Sequence, residues 1–361
     1  MATTSTSPQR DDAGTVARGG WTDRIGYLAA GCTALFGLLA SAWVIIGHGY
    51  PFGAADPDGE GSLLWRVPAG VAAPVFALLL LGAAVTALAI AGPHAVRLRG
   101  APRIALLGYG WLVVTGLLLV VPDVQVLTYA GYAPMLIGGL PFGWPPVDYS
   151  ELFTWALGYK VFSIVTGLLL ARAVLSWQFR TAGACPSCGR RAGAATWTSA
   201  ESATRWGRWA AYTAVVIPVL YAGTRFAWGL GIPLGITEEF LDEMHDSGLV
   251  WAGVGLGAFG VVGAIATLGL VQRWGERFPR WMVGLAGRRV PIKLAVIPAS
   301  LVAIAITAGG LALYGQPELS EELGGGSLTV IPMLLWPLWG FALGAATLAY
   351  HLRRRGACGY C

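Results

Sequence analysis

Residues 67–91 read VPAGVAAPVFALLLLGAAVTALAIA, a run without a single charged side chain. An α-helix needs about 20 consecutive apolar residues to cross a hydrocarbon core of roughly 30 Å. The run meets that length and lacks the two-residue alternation of a barrel strand, so it reads as a membrane-spanning helix. Seven further runs of the same kind lie near residues 27–47, 104–121, 152–177, 209–231, 249–271, 290–314 and 328–352. Hydrocarbon offers no partner to an unpaired backbone group, which leaves helices as the fitting element for such runs. Composition agrees: of 361 residues, 55% are hydrophobic and 12% are charged, against about 25% charged in a typical soluble domain. The expected fold class is an all-α polytopic membrane protein with eight transmembrane helices.

Charge sets the expected orientation, because Lys and Arg are retained on the cytoplasmic side in short loops. With the N-terminus inside, every one of the 24 Lys and Arg residues falls on the inner side except Arg66, Lys160 and Arg225, and all but five of the 19 acids fall outside. Both termini are therefore expected in the cytoplasm, with the chain as a multipass protein of the plasma or inner membrane. The formal charge of +5 then describes an inner rim facing anionic headgroups, and nucleic acid is not an expected partner. The first 20 residues are small and polar and carry no apolar leader segment of their own.

The chain also reads as written twice. Trp21 precedes Tyr27 by six residues and Trp206 precedes Tyr212 by six, and a further Trp follows each Tyr by sixteen, at Trp43 and Trp228. Both first spans exit through related turns, YPFG and IPLG. Both second spans open alike, GSLLW and SGLVW, which sets Trp65 opposite Trp251. The halves close alike too, on GACPSC at 183–188 and GACGYC at 356–361. Internal repetition of this kind predicts one structural unit used twice. The expected division is a cytoplasmic tail (1–20), a first four-helix repeat (21–188), a linker (189–205) and a second four-helix repeat (206–361). Four spans is an even number, so both copies enter from one side and the implied pseudo-twofold axis runs along the membrane normal. The copies differ on the outer side, where residues 122–151 are too apolar for a solvated loop and too rich in Pro and Gly for a span. That segment, with Tyr129, Tyr132, Trp144 and Tyr149, reads as an interfacial or re-entrant lid.

Four of the five cysteines form the two CxxC pairs, Cys185 with Cys188 and Cys358 with Cys361. A CxxC turn brings two thiolates to one metal, and two such turns supply the four sulfurs of a closed tetrahedral zinc site. On the cytoplasmic face, where thiols stay reduced, the expected cofactor is structural zinc clipping the repeats together. Redox chemistry is the alternative for these pairs, although each follows the C-terminal end of a helix rather than preceding an N-terminus.

Ionisable groups inside the bilayer are functional candidates because of their cost. Lys160 and Arg225 lie within the predicted spans, toward the outer third. One reading is an anion or polar-headgroup site under the lid, with Asp123, Glu238, Glu239, Tyr129 and Tyr132 around them. The other is that each cation snorkels to the outer interface or pairs with one acid there. The acidic run TEEFLDEMHDSG at 237–248 reads as a short solvated amphipathic helix. No acid or histidine sits at the centre of a span, which argues against a carboxylate relay, and no nucleophile elbow, HExxH pair or phosphate loop is present. The leading expectation is a permease-like or lipid- and small-molecule-handling protein, lodged in the lipid bilayer and taking a small anionic or amphiphilic ligand. The alternatives are a membrane sensor or scaffold whose cytoplasmic Cys/Arg face binds a soluble protein, and a membrane-embedded enzyme or thiol redox protein, for which the sequence offers no acid, base or nucleophile inside the bilayer.

Overall fold

A computed structural model describes residues 20–53, 56, 59–92, 98–139, 141, 153–185, 188–190, 196–280, 282–316 and 330–356. The described residues are helical apart from turns, loops and one isolated bridge. The main elements are α1 (Gly20–Ile46), α2 (Ala69–Ala91), α3 (Ala101–Thr115), α4 (Val124–Gly139), α5 (Trp155–Thr181), α6 (Ala200–Gly229), α7 (Glu238–Asp246), α8 (Leu249–Gly269), α9 (Ile292–Leu313), α10 (Val330–Leu334) and α11 (Trp336–Arg354). Seven of the described helices are long and apolar enough to cross a membrane: α1, α2, α3 with its π-helical extension Gly116–Val120, α5, α6, α8 and α9. The chain is thus a multipass helical membrane protein.

The stretch expected as an eighth span is divided. α10 ends at Leu334 and α11 starts at Trp336, with Pro337 in its first turn. A proline there donates no backbone hydrogen bond and crowds the carbonyl four residues before it, so the helix restarts. His351, Arg353 and Arg354 in the last turn of α11 lower its apolarity further.

Neighbour relations repeat along the chain. In the first half α1 packs on α2 and on α5, and α5 packs on α3. In the second half α6 packs on α8 and on α11, and α11 packs on α9. The halves meet where α9 lies against α4 and against the π-helical turn that ends α3, with α4 also touching α8. The segment expected as a lid is therefore, over its described part, a helix wedged into the seam; Trp144 and Tyr149 lie outside the described residues. On the far flank α2 and α3 diverge and leave an apolar groove of about 630 Å³, lined among others by Phe76, Leu79, Trp111, Leu112 and Val120.

Small residues hold the helices close, as expected where lipid gives no hydrophobic drive between apolar faces. Gly26 faces Ala91 across the α1–α2 contact, Gly207 faces Ala349 across α6–α11, and Gly340 lies on Ala303 and Thr307 across α9–α11. A Cβ at Gly340 would stand 2.8 Å from the Ala303 carbonyl oxygen, well inside van der Waals contact. Gly340→Val is expected to lower stability by about 1–3 kcal/mol through overpacking. Its thermal melt in detergent, read by loss of the monodisperse chromatographic peak, should fall clearly below that of the native chain.

Candidate functional site

The end of the bundle that carries the acidic loops holds a closed ionic cluster. Lys160 lies in the second turn of α5, whose N-terminus is capped by the Thr154 hydroxyl accepting from the Leu157 amide. That register turns the side chain inward, where Lys160 is 1% exposed. Its Nζ donates to Asp56 Oδ2 at 2.6 Å and to Gln125 Oε1 at 2.8 Å, and stands 2.5 Å from Asp123 Oδ2. Both carboxylate side chains are fully buried. Asp123 also starts α4: its Oδ1 accepts from the Gln125 amide at 3.1 Å, the placement that favours a carboxylate at a helix N-terminus. Asp56 belongs to the connection between α1 and α2, where its backbone is held by Gly53 and Gly59.

Lys160 therefore neither snorkels to the interface nor pairs with a single acid. It also departs from the expected anion site, because two carboxylates already enclose its charge. Glu238 and Glu239, expected nearby, stand exposed in the first turn of α7 in the other half. Asp56 is the partner that sequence reasoning missed. It sits 104 residues from Lys160 in a Pro- and Gly-rich loop, and no spacing rule connects the two.

Among the described residues Lys160 is the cation within ion-pair distance of two acids. Burial pushes the Asp123 carboxyl above its ordinary value, with Lys160 pulling the other way and the nearby Asp56 adding to the rise.

The second cation, Arg225, has a different setting. It lies near the end of α6, half-buried at the seam between the halves. Its guanidinium stacks 4.6 Å from the centroid of the Tyr221 ring and 4.1 Å from that of Trp228, with no carboxylate in ion-pair distance among the described residues. Cation–π contact of this kind steadies a cation without neutralising it. Tyr132 of α4 faces the same group: burial raises its pKa, Tyr221 adds to the rise and Arg225 opposes it. Trp336 lies 6.1 Å from Tyr221, and its buried indole N–H has no acceptor among the described residues. Tyr129 is half-buried on the same helix as Tyr132. The structure thus separates the expected site residues into two groups: Asp123 with Lys160, and Tyr132 with Arg225.

At the opposite end the chain folds a turn around the first cysteine pair. The Cys185 amide donates to the Arg190 carbonyl at 2.9 Å and the Gly189 amide to the Cys185 carbonyl at 2.8 Å, with Gly189 in the left-handed region at φ 69°. Arg190 donates to the carbonyls of Arg355 and Gly356, and Arg355 donates back to the Cys188 carbonyl at 2.9 Å. Cys358 and Cys361 lie outside the described residues. Among the described residues no three His, Cys, Asp or Glu side chains are grouped to hold a metal.

No family model, curated protein or solved structure matches the chain.

Two substitutions separate the roles in the ionic cluster. A carboxyl whose pKa rises on folding binds its proton more tightly in the native state. Its contribution favours the fold below the unfolded value of about 3.9 and declines as pH climbs through the raised one. Asp123→Asn is neutral at every pH and keeps a one-to-one Lys160–Asp56 pair, so it is expected to flatten that dependence. Lys160→Met removes the cation that both buried carboxylates face among the described residues and is expected to cost about 3–5 kcal/mol at neutral pH. Thermal melts of the purified proteins across the acid-to-neutral range read both effects; a Lys160→Met protein melting with the native one would show that the cluster is not structural.

Proposed function

We propose that this chain is a permease-like or lipid-handling protein that binds a small anionic or amphiphilic ligand at the seam between two duplicated halves, with Arg225 as its anchor. The observation that carries the reading is the contrast between the two cations. Lys160 is closed off by carboxylates, whereas among the described residues Arg225 rests on aromatic faces with no carboxylate in reach, near Tyr132, Tyr221 and a Trp336 indole N–H that has no acceptor there. A guanidinium with spare donors in a half-buried, aromatic-lined site suits a carboxylate or phosphate group.

Duplication is supported by more than matching neighbours. At a constant interval of 173 residues, Gly167 answers Gly340, Ala173 answers Ala346, Trp177 answers Tyr350, and Cys185 answers Cys358. The first three pairs are buried in both copies. At the same interval Arg180 donates to the Ile90 carbonyl at the end of α2, and Arg353 to the Leu270 carbonyl at the end of α8, each at about 3 Å. Counting back from Trp43 and Trp228, Phe36 answers Tyr221 and Ala40 answers Arg225. The aromatic pair of the first half closes on itself, Phe36 to Trp43 at 6.3 Å, while its counterpart in the second half grips a cation. That asymmetry is what a ligand site needs and a purely structural repeat does not. Eight spans, a pseudo-twofold axis along the membrane normal and cytoplasmic termini complete the proposal; the arginines gathered at one end of the bundle support the orientation.

The cytoplasmic end carries a four-cysteine zinc clip in this reading. Support comes from the backbone hydrogen bonds that join Cys185 to Gly189 and Arg190, and from Arg190 and Arg355 lacing the two segments together. Metal analysis of the purified protein is expected to find about one zinc per chain, lost in Cys185→Ser; a zinc-free native protein would remove the clip.

Ligand binding has its own test. Oleate and lysophosphatidate, added to the detergent-solubilised protein and followed by native mass spectrometry, are expected to bind the native chain. Arg225→Ala should lose at least about tenfold in affinity, equal to about 1.4 kcal/mol, with an unchanged melting temperature. Equal binding by the variant, or no binding of either probe to the native chain, would sink the reading.

A further inference from the structure

The connection between α8 and α9 is a hairpin with a composition that no loop packed on its own protein requires. A 3₁₀ turn at Arg273–Glu276 leads into it, and Arg277 and Arg289 pair as an antiparallel bridge. The Phe278 amide donates to the Arg288 carbonyl and the Gly287 amide to the Phe278 carbonyl, both at 3.0 Å, and Val290 closes onto Glu276. Gly284 and Gly287 take positive φ and turn the tip. This is a built structure, held by its own backbone.

Two features of its surface stand out. Val283 at the tip is 98% exposed, Leu285 38% and Trp274 52%. Around them Arg273, Arg277, Arg280, Arg288, Arg289 and Lys293 are all exposed. The acid of the hairpin, Glu276, is taken up by Arg353 at 2.9 Å, so the remaining charge is of one sign. The hairpin also springs directly from the ends of two membrane-spanning helices, which fixes its base at headgroup depth.

We infer that the 272–291 hairpin is an interfacial anchor that lays its Val283–Leu285 tip into the adjacent leaflet and sets its ring of cations on anionic phospholipid headgroups. Charge complementarity and continuity with α8 and α9 select lipid over a soluble partner. A soluble acidic protein would satisfy the cations and leave the apolar tip without a hydrocarbon phase to enter, whereas an anionic leaflet satisfies both. The inference stands apart from the ligand site at Arg225, and either can fail without the other.

The test uses the full chain reconstituted in nanodiscs of phosphatidylcholine alone or with roughly 30% phosphatidylglycerol, the anionic lipid that basic juxtamembrane segments recognise. Hydrogen exchange of peptides covering 277–289 is expected to slow at least about fivefold in the anionic discs, while peptides from α1 and α6 do not change. R280Q/R288Q/R289Q should lose the difference, Val283→Asp should weaken it, and both should keep the native melting temperature because every altered side chain is exposed. Equal exchange in the two bilayers overturns the inference. So does protection produced in phosphatidylcholine discs by soluble glycerophosphate, which would show an anion site rather than an anchor, or by an acidic polypeptide such as polyglutamate, which would show a protein-docking surface.

Discussion

One buried lysine organises the acidic end of this molecule. An ammonium group at 1% exposure has to be matched by charge, because its desolvation otherwise costs several kcal/mol. Lys160 draws its matches from two separate connections: Asp56 from the loop after α1, and Asp123 from the turn where α3 gives way to α4. Those contacts fix where α4 begins. The same Asp123 caps α4 through the Gln125 amide, and Gln125 returns its side-chain oxygen to Lys160. From that pinned start α4 runs into the seam, with Leu127 against Gly309 of α9 and Gly131 against Leu256 of α8. Tyr132 then lies by Arg225. The position of the second candidate site thus depends on the first.

The spans were legible because the hydrophobic signal is strong and needs no partner. The run at 67–91 became α2 (Ala69–Ala91) almost residue for residue. The run at 328–352 was less faithful, since periodicity and apolarity do not register that Pro337 restarts the helix after Leu335. Lys160 and Arg225 were legible as exceptions within apolar runs, and Asp123 as a nearby acid. What the sequence concealed was pairing. Asp56, Glu238 and Glu239 all sit in acidic segments between apolar runs, and composition gives no reason to prefer one. The choice is made by helix register and by which loop folds over the N-terminal end of α5, and both are tertiary facts. The segment at 122–151 was legible as neither loop nor span, and its described part is a helix lying in protein contacts.

The two ends of the bundle solve opposite electrostatic problems with the same economy. At the end rich in arginine, helix C-termini leave carbonyls without partners, and Arg180 and Arg353 donate to those of Ile90 and Leu270. A cation there meets both an orphan acceptor and the negative pole of the helix dipole. Arg190 and Arg355 extend that use to the carbonyls around Cys188 and Gly356. Arginine suits the task because its planar fork reaches two carbonyls at once and cannot lose its charge. At the other end the polar groups to be satisfied are side chains, and acids meet a cation from within a helix.

Arg225 fits neither pattern, and that is what supports the ligand proposed for it. Arg180, Arg190, Arg353 and Arg355 end on carbonyl oxygens or on a carboxylate, and Arg103, Arg172 and Arg354 on hydroxyls, with Arg354 also over the Tyr350 ring. Arg225 ends on two aromatic faces, and its neighbours Tyr221, Tyr132 and Trp336 add donors. Among the described residues the guanidinium meets no carboxylate and the buried Trp336 indole N–H no acceptor, and leaving such groups unmet carries a cost. An anion supplies every missing acceptor together, and the aromatic walls that hold the guanidinium also suit an apolar tail. The same reasoning explains why Lys160, though more deeply buried, is the weaker candidate: its acceptors are already part of the chain.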